Sequence, residues 1–380
     1  MVESTAPGLA VIPVTDRRGL RDFIALPRRI YAGDTTWIAP LDFEVRQRIT
    51  PHNPFFYHAR VMLWVAYRDG LPVGRISAQV DDLYLQRYPD RTGYFGMLEA
   101  DDDPKIFQAL FQAAEGWLRQ QGMTAVRGPF NLSINEEVGL LVEGFATPPF
   151  IMMGHHRPYY GGMVEGQGYA RAVDTFTYNI RPDFDSPRVM QRLVEKVAGG
   201  VTVRCIRRRQ LAEDFEIMRD IFNDAWVDNW GFVPFTREEF ADMAKTLALL
   251  LDDDNVQIAE LDGRPVAFIV LLPNVNEAAR DLNGRLLPFG WAKLLWRLKV
   301  RRPHTARVPL MGVRREFQRT RLGPALAFLV IDAVRKPLAA RGVNDVEMGW
   351  ILEGNDGMRN IIETIGGRML KRYRVYQKQL

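Results

Sequence analysis

The chain has 380 residues, 47% apolar and 25% charged, which is the make-up of an ordinary folded protein with enough length for two cores. A single cysteine, Cys205, excludes an internal disulfide framework and fits a reducing compartment. Fifty basic against 46 acidic residues leave a net charge of +4, and no nucleic-acid motif accompanies the basic residues. No apolar run is long enough to span a bilayer, and Met1–Pro7 is polar and small, unlike a secretory leader. A cytoplasmic protein is expected, with attachment to a membrane surface left open.

In the first half, the strand-like run Leu63–Tyr67 leads into Asp69-Gly-Leu-Pro-Val-Gly-Arg-Ile76, a hairpin with a glycine-containing turn. Asp103 followed by Pro104 predicts the N-cap and first turn of a helix over Lys105–Gln121. Carboxylates at Asp101–Asp103 would repel a polyphosphate there. Strand Thr124–Arg127 is followed by a polar run, Asn131, Ser133, Asn135 and Glu136. Polar groups just beyond strand ends are where α/β sheets build sites, so Asn135 and Glu136 are candidate catalytic residues. The adjacent His155 and His156 have poor metal spacing, since neighbours on a strand face opposite ways, and no metal is expected. His156 reads either as a base or substrate contact or as a hydrogen-bonded structural histidine. Arg181–Pro187 is a natural domain break.

The second half repeats the first. The run Trp226–Phe235 is an aromatic loop, and Thr236 with Glu239 forms a capping box before a helix over residues 236–250. Asp262-Gly-Arg-Pro-Val-Ala-Phe-Ile269 matches the first hairpin at an offset of 262 − 69 = 193 residues. Between about Asn274 and Arg307 lies an insert. Its Phe289–Arg302 portion predicts an amphipathic helix, with Trp291, Leu294, Leu295 and Leu298 on one stripe and Lys293, Arg297 and Arg301 on another. Such a helix suits an anionic membrane interface or the lip of a lipid tunnel, or packs on the second domain. Arg297–Arg321 carries nine basic residues and one acidic, 9 − 1 = +8 in 25 positions. Strand Arg307–Val313, a basic loop, helix Gly323–Ala340 and strand Asp345–Leu352 follow, and Glu347 and Glu353 face one side of that last strand. Each half thus predicts an α/β unit with a mixed sheet.

The loop Gly312–Leu326 resembles the acyl-CoA loop of the GNAT acyltransferase superfamily, Gln/Arg-x-x-Gly-x-Gly/Ala. Gln318 and Gly323 fit its ends, and Arg321 stands where the middle glycine should be. The resemblance covers the chain as two tandem GNAT-like domains, 1–180 without a CoA loop and 181–380 with it. It implies acyl-CoA held by Gly312, Val313, Gln318, Arg319, Thr320, Arg321, Leu322, Gly323 and Pro324, and an amine attacking the thioester directly. The asparagine that precedes the usual tyrosine acid by seven residues corresponds to Asn355, and the tyrosine's place is taken by Ile362. Glu353 and Asn355 join Asn135, Glu136 and His156 as the candidate catalytic set. The run Arg127–Phe145 is similar to that of the bacterial ceramide synthases, which implies a long-chain, sphingoid-type amine as acceptor. Transfer of an acetyl or aminoacyl group to a small amine or peptide, or non-catalytic ligand binding, are the alternatives. No nucleophile elbow, dinucleotide-binding or P-loop motif is present.

Overall fold

A computed structural model describes residues 8–380 apart from 198 and 249; the polar segment Met1–Pro7 lies outside the described residues. In chain order the first elements are β1 (Leu9–Pro13), α1 (Arg17–Ile30), α2 (Asp42–Arg48), β2 (Ala59–Arg68), β3 (Leu71–Asp81), α3 (Asp82–Arg87), β4 (Thr92–Ala100), α4 (Pro104–Gln120), β5 (Ala125–Gly128), β6 (Phe130–Asn131), β7 (Glu137–Val138), β8 (Leu140–Glu143), α5 (Tyr160–Glu165) and β9 (Ala170–Ile180). They continue with α6 (Arg188–Val197), β10 (Val201–Cys205), α7 (Leu211–Trp226), α8 (Arg237–Ala248), β11 (Val256–Leu261), β12 (Arg264–Pro273), α9 (Val275–Ala279), α10 (Gly290–Trp296), β13 (Thr305–Val313), α11 (Arg315–Gln318), α12 (Leu322–Ala340), β14 (Asp345–Leu352), α13 (Asp356–Thr364) and β15 (Arg368–Gln379).

The chain forms two compact units: Met1–Thr175 with Ala279–Gly290 and Lys371–Leu380, and Phe176–Ala278 with Trp291–Leu370. The expected division at 180/181 gave the segment 279–290 and the last strand to the second domain. Pairing puts that strand elsewhere, because β15 runs antiparallel to β5 from Tyr376↔Gly128 to Gln379↔Ala125.

Within the first unit the strand order is β1-β2-β3-β4-β5-β15, and within the second it is β10-β11-β12-β13-β14. Each has one parallel pair, β4 with β5 and β13 with β14, and is otherwise antiparallel. The hairpin repeat is exact in geometry as well as in sequence. Asp69 and Gly70 take φ of 50° and 79°, and Asp262 and Gly263 take 51° and 77°, the paired left-handed residues of a tight hairpin turn. A bulge precedes the turn at Ala66/Tyr67 in one hairpin and at Ala259/Glu260 in the other, again 193 apart.

Helices cover both faces of each sheet. In the first unit α4 buries Ile106, Phe107, Leu110 and Phe111 against β2 and β3, next to Ile76 and Phe95. In the second, α12 does the same with Leu326, Phe328, Ile331 and Val334 against β12, next to Ile269 and Val308. Asp103 accepts from the Lys105 N–H at 2.9 Å and Pro104 occupies the first turn of α4, the N-cap that the sequence predicts. The insert helix is shorter than expected. Its α-helical part ends at Trp296, and a single π-helical turn, Arg297–Arg301, follows.

Candidate active site

In the second unit, β13 and β14 pair through Thr305–Val308 and Asp345–Met348 only. Pro309, the next residue on β13, has no N–H to continue the ladder. Beyond that point the side chain of Trp226 stands at the C-terminal part of both strands. Its indole N–H donates to the Met311 carbonyl at 3.1 Å, and its ring meets Trp350 edge-on at 5.5 Å. Gly312 is small because α7 packs here; a Cβ would come within 3.0 Å of Phe268 and 3.3 Å of Ile221. The aromatic loop after α7 is closed core, with Phe232, Val233 and Phe235 buried and Asn223 exchanging two hydrogen bonds with the Phe235 backbone.

The expected cofactor loop holds an extra helical turn. After Val313, the segment Arg315–Gln318 forms α11, and Arg321 sits at φ −66°. No left-handed residue is needed at the middle position, which is why arginine replaces glycine there without strain. Gly323 is the glycine the geometry does require, since a Cβ would lie 2.6 Å from the Phe317 carbonyl. Thr320 accepts from the Leu322 N–H through its hydroxyl and from the Gly323 N–H through its carbonyl. Pro324 has no N–H. Two of the backbone donors that could greet a phosphate at this helix N-terminus, those of Leu322 and Gly323, are therefore engaged.

What the loop offers instead is side-chain charge. Aspartates spaced four apart on and beyond α7 neutralise its first two arginines. Arg314 pairs with Asp220 at 2.7 Å, Arg315 with Asp228 at 2.8 Å, and the Arg315 N–H donates to Asp224. Gln318 is spent on the Ala225 and Val313 carbonyls. Arg319 and Arg321 are exposed and make no ion pair among the described residues. Those two guanidiniums are the loop's unpaired cations among the described residues.

Past β14, Asn355 caps α13 by accepting from the Met358 N–H at 3.1 Å, and the Glu353 carbonyl accepts from Arg359. Ile362, in the place of the usual tyrosine, is fully buried. Arg359 also donates to the hydroxyl of Tyr178, which in turn donates to Glu363 at 3.2 Å. Glu347 is buried beside Arg307 at 3.7 Å, in the core rather than at the surface. An apolar cavity of about 30 Å³ lies between the sheet and α12, bordered by Ile269, Leu271, Val308, Val334 and Leu338. It has room for a group the size of a water molecule, not for an alkyl chain.

The polar run of the first unit is a strap. β4 and β5 pair only from Thr92–Tyr94 to Ala125–Arg127, and the chain 129–138 fills the space where they part. Asn131 accepts from the Met97 N–H at 2.7 Å and donates to Glu137 at 2.8 Å. Gln79 donates to the carbonyls of Phe130 and Leu132. A Cβ on Gly96 would lie 1.7 Å from the Phe130 carbonyl oxygen. Arg48 clamps the strap, 2.9 Å from Glu137 and 3.6 Å from Glu136. Burial pushes the Glu137 carboxyl up, but the Arg48 guanidinium beside it wins and holds it below the ordinary carboxylate range. The Asn135 N–H donates to Ser133. His156 accepts from the Leu141 N–H on Nδ1, so its proton is on Nε2. Burial and the neighbouring His155 lower it to about 3, and it stays neutral at pH 7.

The five expected catalytic residues thus divide between the units, Asn135, Glu136 and His156 in the first and Glu353 and Asn355 in the second. Sequence reading missed a buried titratable group, Glu99 on β4. It lies opposite Arg75 on β3 and is 3.8 Å from it. Tyr31 and Tyr160 both donate to its Oε2, at 2.9 and 2.8 Å. Burial raises its pKa to about 7 against the pull of Arg75 and the two hydroxyls. The β3–β4 register pairs Arg75 with Glu99 where the second copy, across β12 and β13, pairs Phe268 with Gly312.

No family model matches the chain. A tandem GNAT protein from the clavulanic acid biosynthesis pathway superposes with a TM-score of 0.57, at 13% identity over 98% of each chain. The repeated unit, its splayed parallel pair and this superposition define the class, a tandem GNAT-fold protein. Protein YghO of Escherichia coli (strain K12) is 50% identical over 96% of this chain and 94% of its own. The bacterial ceramide synthase of Caulobacter vibrioides (strain NA1000 / CB15N) is 49% identical over 100% of this chain and 99% of its own. The chain belongs to the bacterial ceramide synthase family and is an N-acyltransferase.

Proposed function

We propose that the protein joins the acyl group of an acyl-CoA to the amine of a long-chain, sphingoid-type base. The full-length identity to the bacterial ceramide synthase carries this reading. In it the second unit holds the cofactor, with Arg319 and Arg321 on the pyrophosphate and Val313 and Thr320–Pro324 lining the approach. The amine nitrogen attacks the thioester carbonyl; the new C–N bond forms, the C–S bond breaks, and CoA leaves as thiolate. Glu353, at the end of β14, is the proposed acceptor of the amine proton. With Ile362 in the tyrosine's place, the thiolate takes its proton from water or from the Glu353 carboxyl that the attack has protonated. The first unit, with the strap filling the gap between β4 and β5 and Asp103 capping α4, supports the fold rather than binding a second CoA.

Purified protein supplied with acyl-CoAs of graded chain length and a sphingoid base, with free thiol measured, tests the reading. Thiol release that depends on the long-chain amine is expected. Release only with acetyl-CoA and small polar amines would assign a different acceptor, and neither release nor CoA binding would remove the enzyme reading.

A further inference from the structure

The insert helix turns its apolar side chains the wrong way for a packed helix. Leu294, Arg297 and Leu298 are the half-buried residues, and the Arg297 guanidinium donates to the Ala278 carbonyl at 2.8 Å. The opposite side holds Trp291, Leu295, Trp296 and Val300, exposed at 54%, 52%, 54% and 67%. Trp296 and Val300, which spoil the polar stripe in a helical projection, complete this outward face. Leu287 and Phe289, just before it in the chain, are exposed at 82% and 77%. Large side chains clustered in water mark an interaction surface.

The charge carried by this stretch of chain is of one sign; from elsewhere, the Asp252 carboxylate lies 3.9 Å from Arg302. From Leu282 to Arg315 there is no acidic residue. Lys293, Lys299 and Arg301 are exposed among the apolar groups, and Lys299 and Arg301 make no ion pair among the described residues. Two tryptophans bordered by cations are the composition of a bilayer interface, where indole sits at headgroup depth and Lys or Arg meets phosphate. Trp291–Arg301 is too short to cross a bilayer, about 16 Å at 1.5 Å per residue, so it would lie in the interfacial plane.

We propose that the outward face of Trp291–Arg301 docks the protein onto an anionic phospholipid bilayer. The inference rests on this surface and not on the acylation reading, and it is read out by lipid binding rather than turnover. The experiment is cosedimentation of the full chain with vesicles of phosphatidylcholine alone or mixed with phosphatidylglycerol. Binding to the anionic vesicles is expected to be at least about tenfold stronger and to weaken with salt. Trp296→Ser with Val300→Ser should lower it about tenfold. Lys299→Glu with Arg301→Glu should erase the preference for phosphatidylglycerol. These positions are exposed, so circular dichroism should stay unchanged. Absence of binding to either vesicle, or variants that bind as the parent does, would overturn the proposal. So would a parent that self-associates in gel filtration and a Trp296→Ser/Val300→Ser variant that does not, since the face would then join two copies of the chain.

Discussion

Two buried groups in the first unit titrate in opposite senses. Glu99 has its folded pKa raised from 4.5 to about 7. Its neutral form fits the fold, so its contribution is whole below the unfolded pKa and is lost as pH rises through 7. His156 has its folded pKa lowered from 6.5 to about 3; its contribution is whole above 6.5 and is lost as pH falls toward 3. Replacing Glu99 by Gln keeps an acceptor for one tyrosine and removes the ionisation. Relative to the parent, Glu99→Gln should gain about 3 kcal/mol of stability between pH 5 and pH 8. Urea unfolding at the two pH values measures this, and a difference that does not move with pH would refute it. In the second unit, the two free guanidiniums make a separate residue-scale case. If the pair meets the phosphates and not the reacting carbonyl, as proposed, Arg319→Ala with Arg321→Ala should raise KM for acyl-CoA about tenfold and leave kcat nearly unchanged. Arg314→Ala, which breaks the contacts to Asp220 and Pro265, should instead lower stability. Steady-state kinetics and thermal melts on the same samples separate the two outcomes.

At the scale of elements, the strap at 129–138 shows what the polar run does in the fold: Asn131 and Gln79 bond its backbone and that of β4. A polar run after a strand end looks the same whether its groups face a ligand or the chain's own backbone. Asn131 and Gln79 face backbone, and the telling signal was glycine: Gly96 and Gly128 stand where a Cβ would meet the backbone carbonyls of Phe130 and Phe95 at 1.7 and 2.3 Å. The hairpins, by contrast, were legible residue by residue, because Asp-Gly turns and alternating apolar strands depend on local chemistry alone. The cofactor loop falls between these cases. Its basic charge could be read, but its helical turn at Arg315–Gln318 and its pairing with Asp220 and Asp228 depend on α7, far away in sequence. If Arg48 holds the strap, Arg48→Met leaves the half-buried Glu137 without its cation and should cost about 1–3 kcal/mol. Adding Glu137→Gln, which keeps the acceptor for Asn131, should restore a large part of that loss. A double variant no more stable than Arg48→Met would show that the strap is held by something other than this pair.

Across the whole molecule, the two units repeat one strand order, yet they are not two successive lengths of chain. The final strand, β15, alternates buried and less buried side chains, but alternation reveals a strand and not its partner. Its partners include β5 and β8, both in the first unit. Tyr373, Val375 and Tyr376 are at most 1% exposed. The Tyr373 hydroxyl donates to the Gly154 carbonyl, Arg374 pairs with Asp174 at 2.9 Å, and Lys371 donates to the carbonyls of Thr147 and Pro148. Each buried side chain of this size is worth about 1.5–3 kcal/mol, so losing three approaches the whole stability of a domain, about 5–15 kcal/mol. A chain ending at residue 370 should therefore lose its first unit and keep its second, the reverse of what a cut at the C-terminus suggests for contiguous domains. Hydrogen exchange followed by peptide mass analysis distinguishes these. Peptides from β4, β5 and α5 should exchange at near-unfolded rates in the truncated chain, while those from β12 and α12 stay protected. Loss of protection confined to the second unit would mean that the last strand belongs with the half of the chain that precedes it.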